Sequence, residues 1–196
     1  MAFSRRHLPH WIPDEATIFV TWRLAGSIPP QTEVVETRQT TKNDGLSHSF
    51  PQLDERLDGC RSGPVWLRDS RIASVVGDAL LYGEAARNFY RLHAWVIMPN
   101  HVHAIWQPLV AMPMITQWVK GRTSRVANRI LGRKGMSFWQ DESFDHWVRS
   151  AEELQDLIAY VENNPVKAGL AEAPEQWLWS SAGRLTDDKR RSSVPL

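Results

Sequence analysis

The chain has 196 residues, of which 42% are hydrophobic and 23% are charged, an ordinary composition for a globular domain. This length allows one domain with a substantial core and one long insertion, and the net charge of +1 excludes a uniformly basic or acidic protein. Cys60 is the only cysteine, so neither an intrachain disulfide nor a thiolate metal cluster can form. No apolar run is long enough to span a bilayer, and the basic segment 1–9 lacks the apolar stretch of a signal peptide. We therefore expect a cytoplasmic protein with no membrane partner.

The first regular element predicted is a strand over residues 17–24, where β-branched and aromatic residues are concentrated. The segment before it, residues 1–14, is basic and aromatic and is predicted to be an arm. About residues 27–66 are predicted to be a polar insertion, because lengthening a surface loop costs little free energy. A functional lid is the alternative for this segment.

A helix and a two-stranded hairpin follow, predicted over residues 71–82, 88–98 and 101–107. Asp69 and Ser70 supply a cap for the helix, and Gly83 is expected to end it. Pro99 and Asn100 carry the turn chemistry that joins the two strands.

The second half of the chain supplies another helix and strand and then a last helix, predicted over residues 113–131, 144–149 and 151–163. Ser150 and Glu153 match a capping box for the last helix, and Asn164-Pro165 is expected to stop it. Residues 186–196 are predicted to be a mobile, charged tail. The order β-α-β-β-α-β followed by a helix predicts one α+β domain over residues 1–196, with a ferredoxin-like antiparallel sheet and helices on one face.

Two histidines open the third predicted strand. His101 and His103 are two residues apart, so on a strand they point to the same face while Val102 points to the other. Two imidazoles side by side make half of a divalent-metal site. A purely structural role is the alternative for such a pair.

The last predicted helix carries Tyr160 and Asn164 one turn apart, so these side chains are neighbours if the helix extends that far. The imidazoles and the Asn164 oxygen suit Mg²⁺ or Mn²⁺ as ligands. Tyr160 is then a candidate nucleophile toward a metal-bound phosphate, although a phenol ionises near pH ~10 and needs activation and positioning. Packing is the alternative role for a single helical tyrosine.

Two motifs together resemble the REP-associated tyrosine transposases, which belong to the single-tyrosine HUH superfamily. They are Pro99-Asn100-His101-Val102-His103 and Tyr160-Val161-Glu162-Asn163-Asn164-Pro165-Val166-Lys167-Ala168-Gly169-Leu170. Further matches are Arg5-Arg6-His7-Leu8-Pro9-His10-Trp11, Phe138-Trp139-Gln140, Phe144-Asp145 and residues 177–181. The resemblance covers most of the chain except residues 31–66 and the tail.

This resemblance implies a DNA transposase that nicks and joins single-stranded DNA at a hairpin-forming palindrome with a short flanking tetranucleotide. It implies that His101 and His103 hold the metal and that Tyr160 forms a 5′-phosphotyrosine. Asn164 occupies the position of the third ligand, where related enzymes often carry glutamine. Both histidines and the tyrosine are present, so no motif residue indicates lost activity.

A basic block is predicted to contact DNA phosphates. Residues 101–140 contain no Asp or Glu, and Arg122, Arg125 and Arg129 recur at helical spacing beside Lys120. A solvated helix face is the alternative. In the N-terminal arm, the residues predicted to reach a groove or to stack on a base are Arg5, Arg6, His7 and Trp11.

Other functions remain open at this point. One is a regulatory protein that binds hairpin DNA without catalysis, and others are a plasmid relaxase, a replication initiator or a metal hydrolase outside the HUH group. The short chain and the single candidate tyrosine favour the transposase. The sequence is equally compatible with a monomer and with a homodimer.

Overall fold

The apolar residues of the strands build a sheet that is covered on both faces. The computed structural model of the protein describes residues 16–28, 57 and 63–184. Its strands and long helices, named in chain order, are β1 (Ile18–Arg23), α1 (Ser70–Ala85), β2 (Tyr90–Ile97), β3 (His101–Pro108), α2 (Met112–Ile130), β4 (Phe144–Trp147) and α3 (Ala151–Lys167). Single turns of 3-10 helix lie at Trp66–Arg68 and Pro174–Gln176.

All strand pairs in the sheet are antiparallel, and the strand order is β2-β3-β1-β4. β1 lies between β3 and β4, so that Ile18 faces Trp106 on one side and Trp147 on the other. The β2–β3 hairpin closes with the amide of Met98 donating to the carbonyl of His101 at 2.9 Å. This is the ferredoxin-like order, and the predicted α+β fold class is confirmed.

The two faces of the sheet carry different helices because successive side chains of a strand point to opposite faces. On one face, α1 and α2 cover the even-numbered residues of β1 and β3, namely Ile18, Val20, Trp22, Val102, Ala104 and Trp106. On the other face, Phe19 of β1 and Ile105 of β3 pack against α3, which contributes Leu157 and Val161. We call this second face the α3 face; it carries the side chains of His101 and His103, because both have the same parity in β3 as Ile105.

Residues 177–181, here named the edge segment, pair with the outer edge of β2. The amide of Ile97 donates to the carbonyl of Trp179 at 2.8 Å, and the Trp177 indole donates to the carbonyl of Ile97 at 3.0 Å. The Ser181 hydroxyl donates to Glu162 Oε1 in α3 at 2.8 Å. The edge segment therefore satisfies backbone groups of an edge strand and links α3 to the sheet.

The predicted end of α1 at Gly83 is wrong, because the helix continues to Ala85. Gly83 instead makes room for the ring of Tyr90, whose hydroxyl donates to the carbonyl of Leu80 at 2.8 Å. A β-carbon at position 83 would clash with this hydroxyl. Burial raises the pKa of Tyr90, so the phenol remains a neutral donor.

The predicted stop at Asn164-Pro165 is also wrong, because α3 runs on to Lys167. Proline removes one backbone donor and crowds the carbonyl four residues earlier, a cost that is smaller near a helix end than in its interior. Beyond Pro165, the amides of Ala168 and Leu170 donate to the carbonyls of Asn164 and Pro165 at 3.0 and 2.8 Å. Asn164 therefore stays helical, one turn after Tyr160.

The other end of α3 is capped as predicted. The Ser150 hydroxyl accepts from the amide of Glu153 at 3.1 Å. The Glu153 carboxylate accepts in turn from the amide of Arg149 at 2.5 Å and lies 3.0 Å from Nε2 of His146 in β4. These contacts attach the start of α3 to the neighbouring strand.

The predicted arm, most of the insertion over about 27–66 and the tail at 186–196 lie outside the described residues, so these boundaries stay predictions. Within the insertion, Ile28 and Leu57 are buried, and Gly63 lies against the backbone of Gly26 and Ser27. In the part of the chain that is described, no helix combines the length and apolarity that crossing a membrane requires.

We expect Gly83→Ala to lower the free energy of unfolding by about 1–3 kcal/mol, because the added methyl group overpacks the Tyr90 contact. Gly121→Ala is the matched control, since a β-carbon there meets nothing within 4 Å in an exposed part of α2. Alanine at position 121 should raise stability by about 0.5–1 kcal/mol. Urea unfolding measures both changes, and equal stability of the two variants would contradict the Gly83–Tyr90 contact.

Candidate active site

His101 and His103 lie at the start of β3 and are fully buried on the α3 face. Their Nε2 atoms are 3.0 Å apart, with the ring planes at 72°. In the antiparallel register, His103 faces Thr21 of β1 and His101 faces Arg23. Directly opposed residues project from the same face, so Thr21 and Arg23 belong to the surroundings of the pair.

Asn100 fixes the orientation of His101. Its amide nitrogen donates to the carbonyl of Leu57 at 2.8 Å, which assigns the other end of the amide as oxygen. That oxygen lies 2.7 Å from Nδ1 of His101. Because an amide oxygen can only accept, Nδ1 of His101 carries the proton and Nε2 presents a lone pair toward His103.

Thr21 holds His103 in a different way. Its hydroxyl lies 2.7 Å from Nδ1 of His103, and the imidazole stacks on Phe19 at 5.6 Å between ring centroids. A hydroxyl can either donate or accept. His103 can therefore place its proton on either nitrogen without losing this hydrogen bond.

Tyr160 of α3 lies next to the histidine pair. Its ring centroid is 6.4 Å from that of His103, with the planes at 70°. Asn164, one helical turn after Tyr160, is also buried, with 1% of its surface exposed. The fold thus brings Tyr160 beside the two histidines, and Asn164 lies one helical turn further along α3.

The two histidine Nε2 atoms are spaced as two ligands of one octahedral divalent cation would be. Adjacent ligands at bond lengths of about 2.1 Å lie about 3.0 Å apart, which equals the 3.0 Å between the two Nε2 atoms. The described residues contain no cluster of three or more His, Cys, Asp or Glu side chains. A cation bound by the two imidazoles would therefore take further ligands of another kind, such as the Asn164 amide oxygen, a phosphate or water.

Four neighbours of the site had no predicted role in its chemistry: Thr21, Arg23, Asn100 and Lys167. Thr21 and Arg23 lie about 80 residues before the histidines, and only the β1–β3 register brings them close. Asn100 was predicted as a turn residue and as part of the first motif, without a contact to His101. The Lys167 ammonium lies 5.5 Å from the centroid of the Tyr160 ring, and its spacing of seven residues from Tyr160, about two helical turns, was the available signal.

The predicted DNA-binding residues of α2 lie on the opposite side of the sheet. Arg122, Arg125 and Arg129 are exposed on α2, whose buried side packs on the face away from α3. Lys120 is oriented differently, because its ammonium donates to the carbonyls of Gln140 and Asp141 at 3.0 and 3.1 Å. The predicted arm residues Arg5, Arg6, His7 and Trp11 lie outside the described part of the chain.

We call Arg122, Arg125 and Arg129 the arginine stripe. Two aromatic side chains lie next to Arg122, its first residue. Tyr82 of α1, which is 49% exposed, stacks on Trp118 of α2 with a centroid separation of 6.2 Å. The Arg122 guanidinium lies 5.6 and 5.8 Å from these two ring centroids. Cation–π contacts of this kind hold Arg122 in place while leaving it at the surface.

Residues 76–164 match the family model described as transposase IS200 like, and this stretch contains both histidines, Tyr160 and Asn164. This stretch, somewhat less than half of the chain, is therefore similar to the IS200-like transposases. The REP-associated tyrosine transposase of Escherichia coli (strain K12) is 25% identical over 108 residues, which are 55% of this chain and 61% of that protein. This match therefore spans less than two thirds of the relative's length. Together with the structural comparison below, these matches confirm the resemblance predicted from the motifs.

A solved REP-associated tyrosine transposase bound to a REP hairpin superimposes with a TM-score of 0.56 at 19% identity. The superposition covers 100% of this chain and 89% of that one. At this identity the comparison shows a shared fold.

We expect His101 in its neutral form to carry its proton on Nδ1, because Asn100 offers only an acceptor there. Two-bond ¹H–¹⁵N correlation spectra of the imidazoles identify the tautomer, with the exposed His93 as an internal reference. In Asn100→Ala, the His101 signals should move toward the tautomer mixture of His93. A wild-type His101 protonated on Nε2 would contradict the assigned amide orientation.

Proposed function

We propose that the protein is a metal-dependent DNA transposase that cleaves and rejoins single-stranded DNA at hairpin sequences through a 5′-phosphotyrosine on Tyr160. The observation that carries this proposal is the position of the Tyr160 ring, 6.4 Å from that of His103, beside two imidazole nitrogens 3.0 Å apart. A nucleophile must lie within reach of a phosphate held by the histidine pair, and the closeness of the two rings supports this role for Tyr160.

In the proposed reaction, the phenol oxygen of Tyr160 forms a bond to phosphorus and the bond from phosphorus to the 3′ oxygen breaks. The phenol loses one proton and the departing 3′ oxygen gains one, so the net products are a tyrosyl 5′-phosphodiester and a free 3′-hydroxyl. The energy of the phosphodiester is retained in the adduct. A 3′-hydroxyl can therefore attack it and join strands in the reverse reaction without ATP.

We assign His101, His103 and Asn164 as the residues that hold a divalent cation, Mg²⁺ or Mn²⁺. When bound, such a cation supplies Lewis-acid polarisation of the phosphate, which compensates for the weak nucleophilicity of a neutral phenol. Asn100 and Thr21 orient the two imidazoles so that their Nε2 atoms converge. The burial of both histidines keeps this geometry fixed before DNA binds.

We propose hairpin-forming single-stranded DNA as the partner, in line with the relative whose structure holds a REP hairpin. The arginine stripe of α2 and the arm residues Arg5, Arg6, His7 and Trp11 are the proposed contacts to this DNA. The contacts of α2 to phosphates would position DNA without reading its sequence, whereas the arm residues would reach a groove or stack on a base.

The first test uses hairpin oligonucleotides with randomised single-stranded flanks, labelled on their 3′ side, and Mn²⁺ or Mg²⁺. Wild-type protein should become covalently attached to the label, and tryptic mass spectrometry should locate the adduct on Tyr160. Tyr160→Phe should abolish the adduct and keep hairpin binding, because only the attacking oxygen is lost. Tyr82→Phe, which removes a phenol on the other side of the sheet, should form the adduct normally.

His101→Ala should also lose adduct formation, at every concentration of Mn²⁺ tested, because one imidazole alone cannot restore the site. An adduct that persists in Tyr160→Phe would reject the assigned nucleophile. A wild-type protein that shifts hairpin DNA in gels and forms no adduct with either ion would support the alternative, a regulatory hairpin-binding protein without catalysis.

A second prediction concerns the arginine stripe. Replacing Arg122, Arg125 and Arg129 together by glutamine should weaken hairpin binding and flatten its salt dependence, by about 0.9 in the log–log slope for each lost phosphate contact to duplex DNA. Arg68→Gln, which removes an exposed arginine outside the stripe, is the control. Fluorescence anisotropy at several salt concentrations measures the slope, and a slope equal to that of wild type would exclude the stripe as a DNA contact.

A further inference from the structure

We propose that Lys167 is a catalytic residue whose ammonium group binds a non-bridging oxygen of the phosphate that Tyr160 attacks. This proposal rests on the proposed function of Tyr160 as the nucleophile. The observation behind it is the position of the Lys167 Nζ atom, 5.5 Å from the centroid of the Tyr160 ring.

The geometry of α3 explains how this lysine reaches the tyrosine. Seven residues are about two helical turns, so Lys167 and Tyr160 lie on the same side of the helix. Side chains on a helix lean toward its N-terminus, and the long lysine side chain therefore extends from the last turn back over Tyr160. This contact exists only because α3 continues through Pro165.

Lys167 remains available for a ligand. It is exposed, and in the described part of the chain no carboxylate lies within 4.0 Å of its ammonium group. Glu162, an acidic residue of the same helix, accepts a hydrogen bond from the Ser181 hydroxyl of the edge segment. A lysine that served only to favour the helix C-terminus would act on the last carbonyl groups and would not need to lie over Tyr160.

The chemistry of the site calls for a cation at this position. A phosphodiester under attack carries negative charge on its non-bridging oxygens, and preorganised positive groups are the main means of stabilising that charge. The imidazole pair approaches Tyr160 from the sheet, and Lys167 approaches it from α3, the helix that carries Tyr160. A lysine ammonium is a compact charge on a flexible stem that suits a single phosphate oxygen.

The decisive measurement is the affinity of the Tyr160→Phe protein for hairpin DNA. This variant can still contact the phosphate but cannot cleave the DNA, so the measurement reports contact alone. Two hairpin oligonucleotides are compared, one with the natural phosphodiester and one with a neutral methylphosphonate at the linkage that wild-type protein cleaves. Adding Lys167→Met should weaken binding of the phosphodiester at least threefold and leave binding of the methylphosphonate nearly unchanged. Lys134→Met, which removes an exposed lysine after α2, should affect both oligonucleotides equally.

In single-turnover cleavage with Tyr160 intact, Lys167→Met should slow adduct formation at least tenfold, and Lys167→Arg should recover much of the rate. Calorimetric affinity for Mn²⁺ and the thermal midpoint should stay at wild-type values in both variants. Equal weakening of both oligonucleotides by Lys167→Met, or an unchanged cleavage rate, would overturn the role of Lys167 while leaving Tyr160 as the nucleophile. Absence of any adduct in the wild-type protein would instead remove the proposed function itself.

Discussion

The register between β1 and β3 is the constraint on which the rest of the site depends. It pairs Thr21 with His103 and Arg23 with His101, and it places Phe19 beneath the His103 ring. A slip of one residue would turn every side chain of the slipped strand to the other face. Such a slip would cost burial on both faces, because α1 and α2 cover one side of these strands and α3 covers the other. Burial of the sheet on both faces therefore fixes the positions of polar side chains.

The two histidines are held by partners with different chemistry, and this difference bears on metal binding. Because the Asn100 oxygen can only accept from His101, the neutral form of His101 carries its lone pair on Nε2. Thr21 can donate or accept, so His103 can carry its proton on Nε2, where it would bridge to His101, or on Nδ1, where Nε2 becomes a second lone pair. The 3.0 Å between the two Nε2 atoms suits a hydrogen bond between the imidazoles, and it equally suits two adjacent ligands of one cation. If the pair holds a cation as proposed, exchange between a proton and that cation would need little movement of either ring.

The sequence predicts the elements well because hydrophobic periodicity and capping residues are local signals. The order of strands and helices, the hairpin turn at Pro99-Asn100 and the Ser150 cap all follow from residues near one another in the chain. The two wrong helix ends, at Gly83 and at Pro165, arise where tertiary packing overrides a local preference: the Tyr90 ring requires Gly83 inside α1, and the last turn of α3 tolerates Pro165. The supporting role of Thr21 could not be predicted from spacing, because it depends on a register between strands about 80 residues apart.

The separation of the arginine stripe from Tyr160 limits how a single DNA molecule can contact both. The sheet and its helices lie between them, so DNA that made both proposed contacts would have to pass around an edge of the sheet or past the ends of the strands. The edge at β2 is occupied by the edge segment, through the bonds of Ile97 with Trp177 and Trp179. The other edge strand is β4, which has only four residues and is followed at once by α3. A hairpin bound by the stripe would therefore deliver its single-stranded flank to Tyr160 by way of β4 or the strand ends, and the length of that flank, rather than the hairpin itself, would determine which phosphate meets the tyrosine.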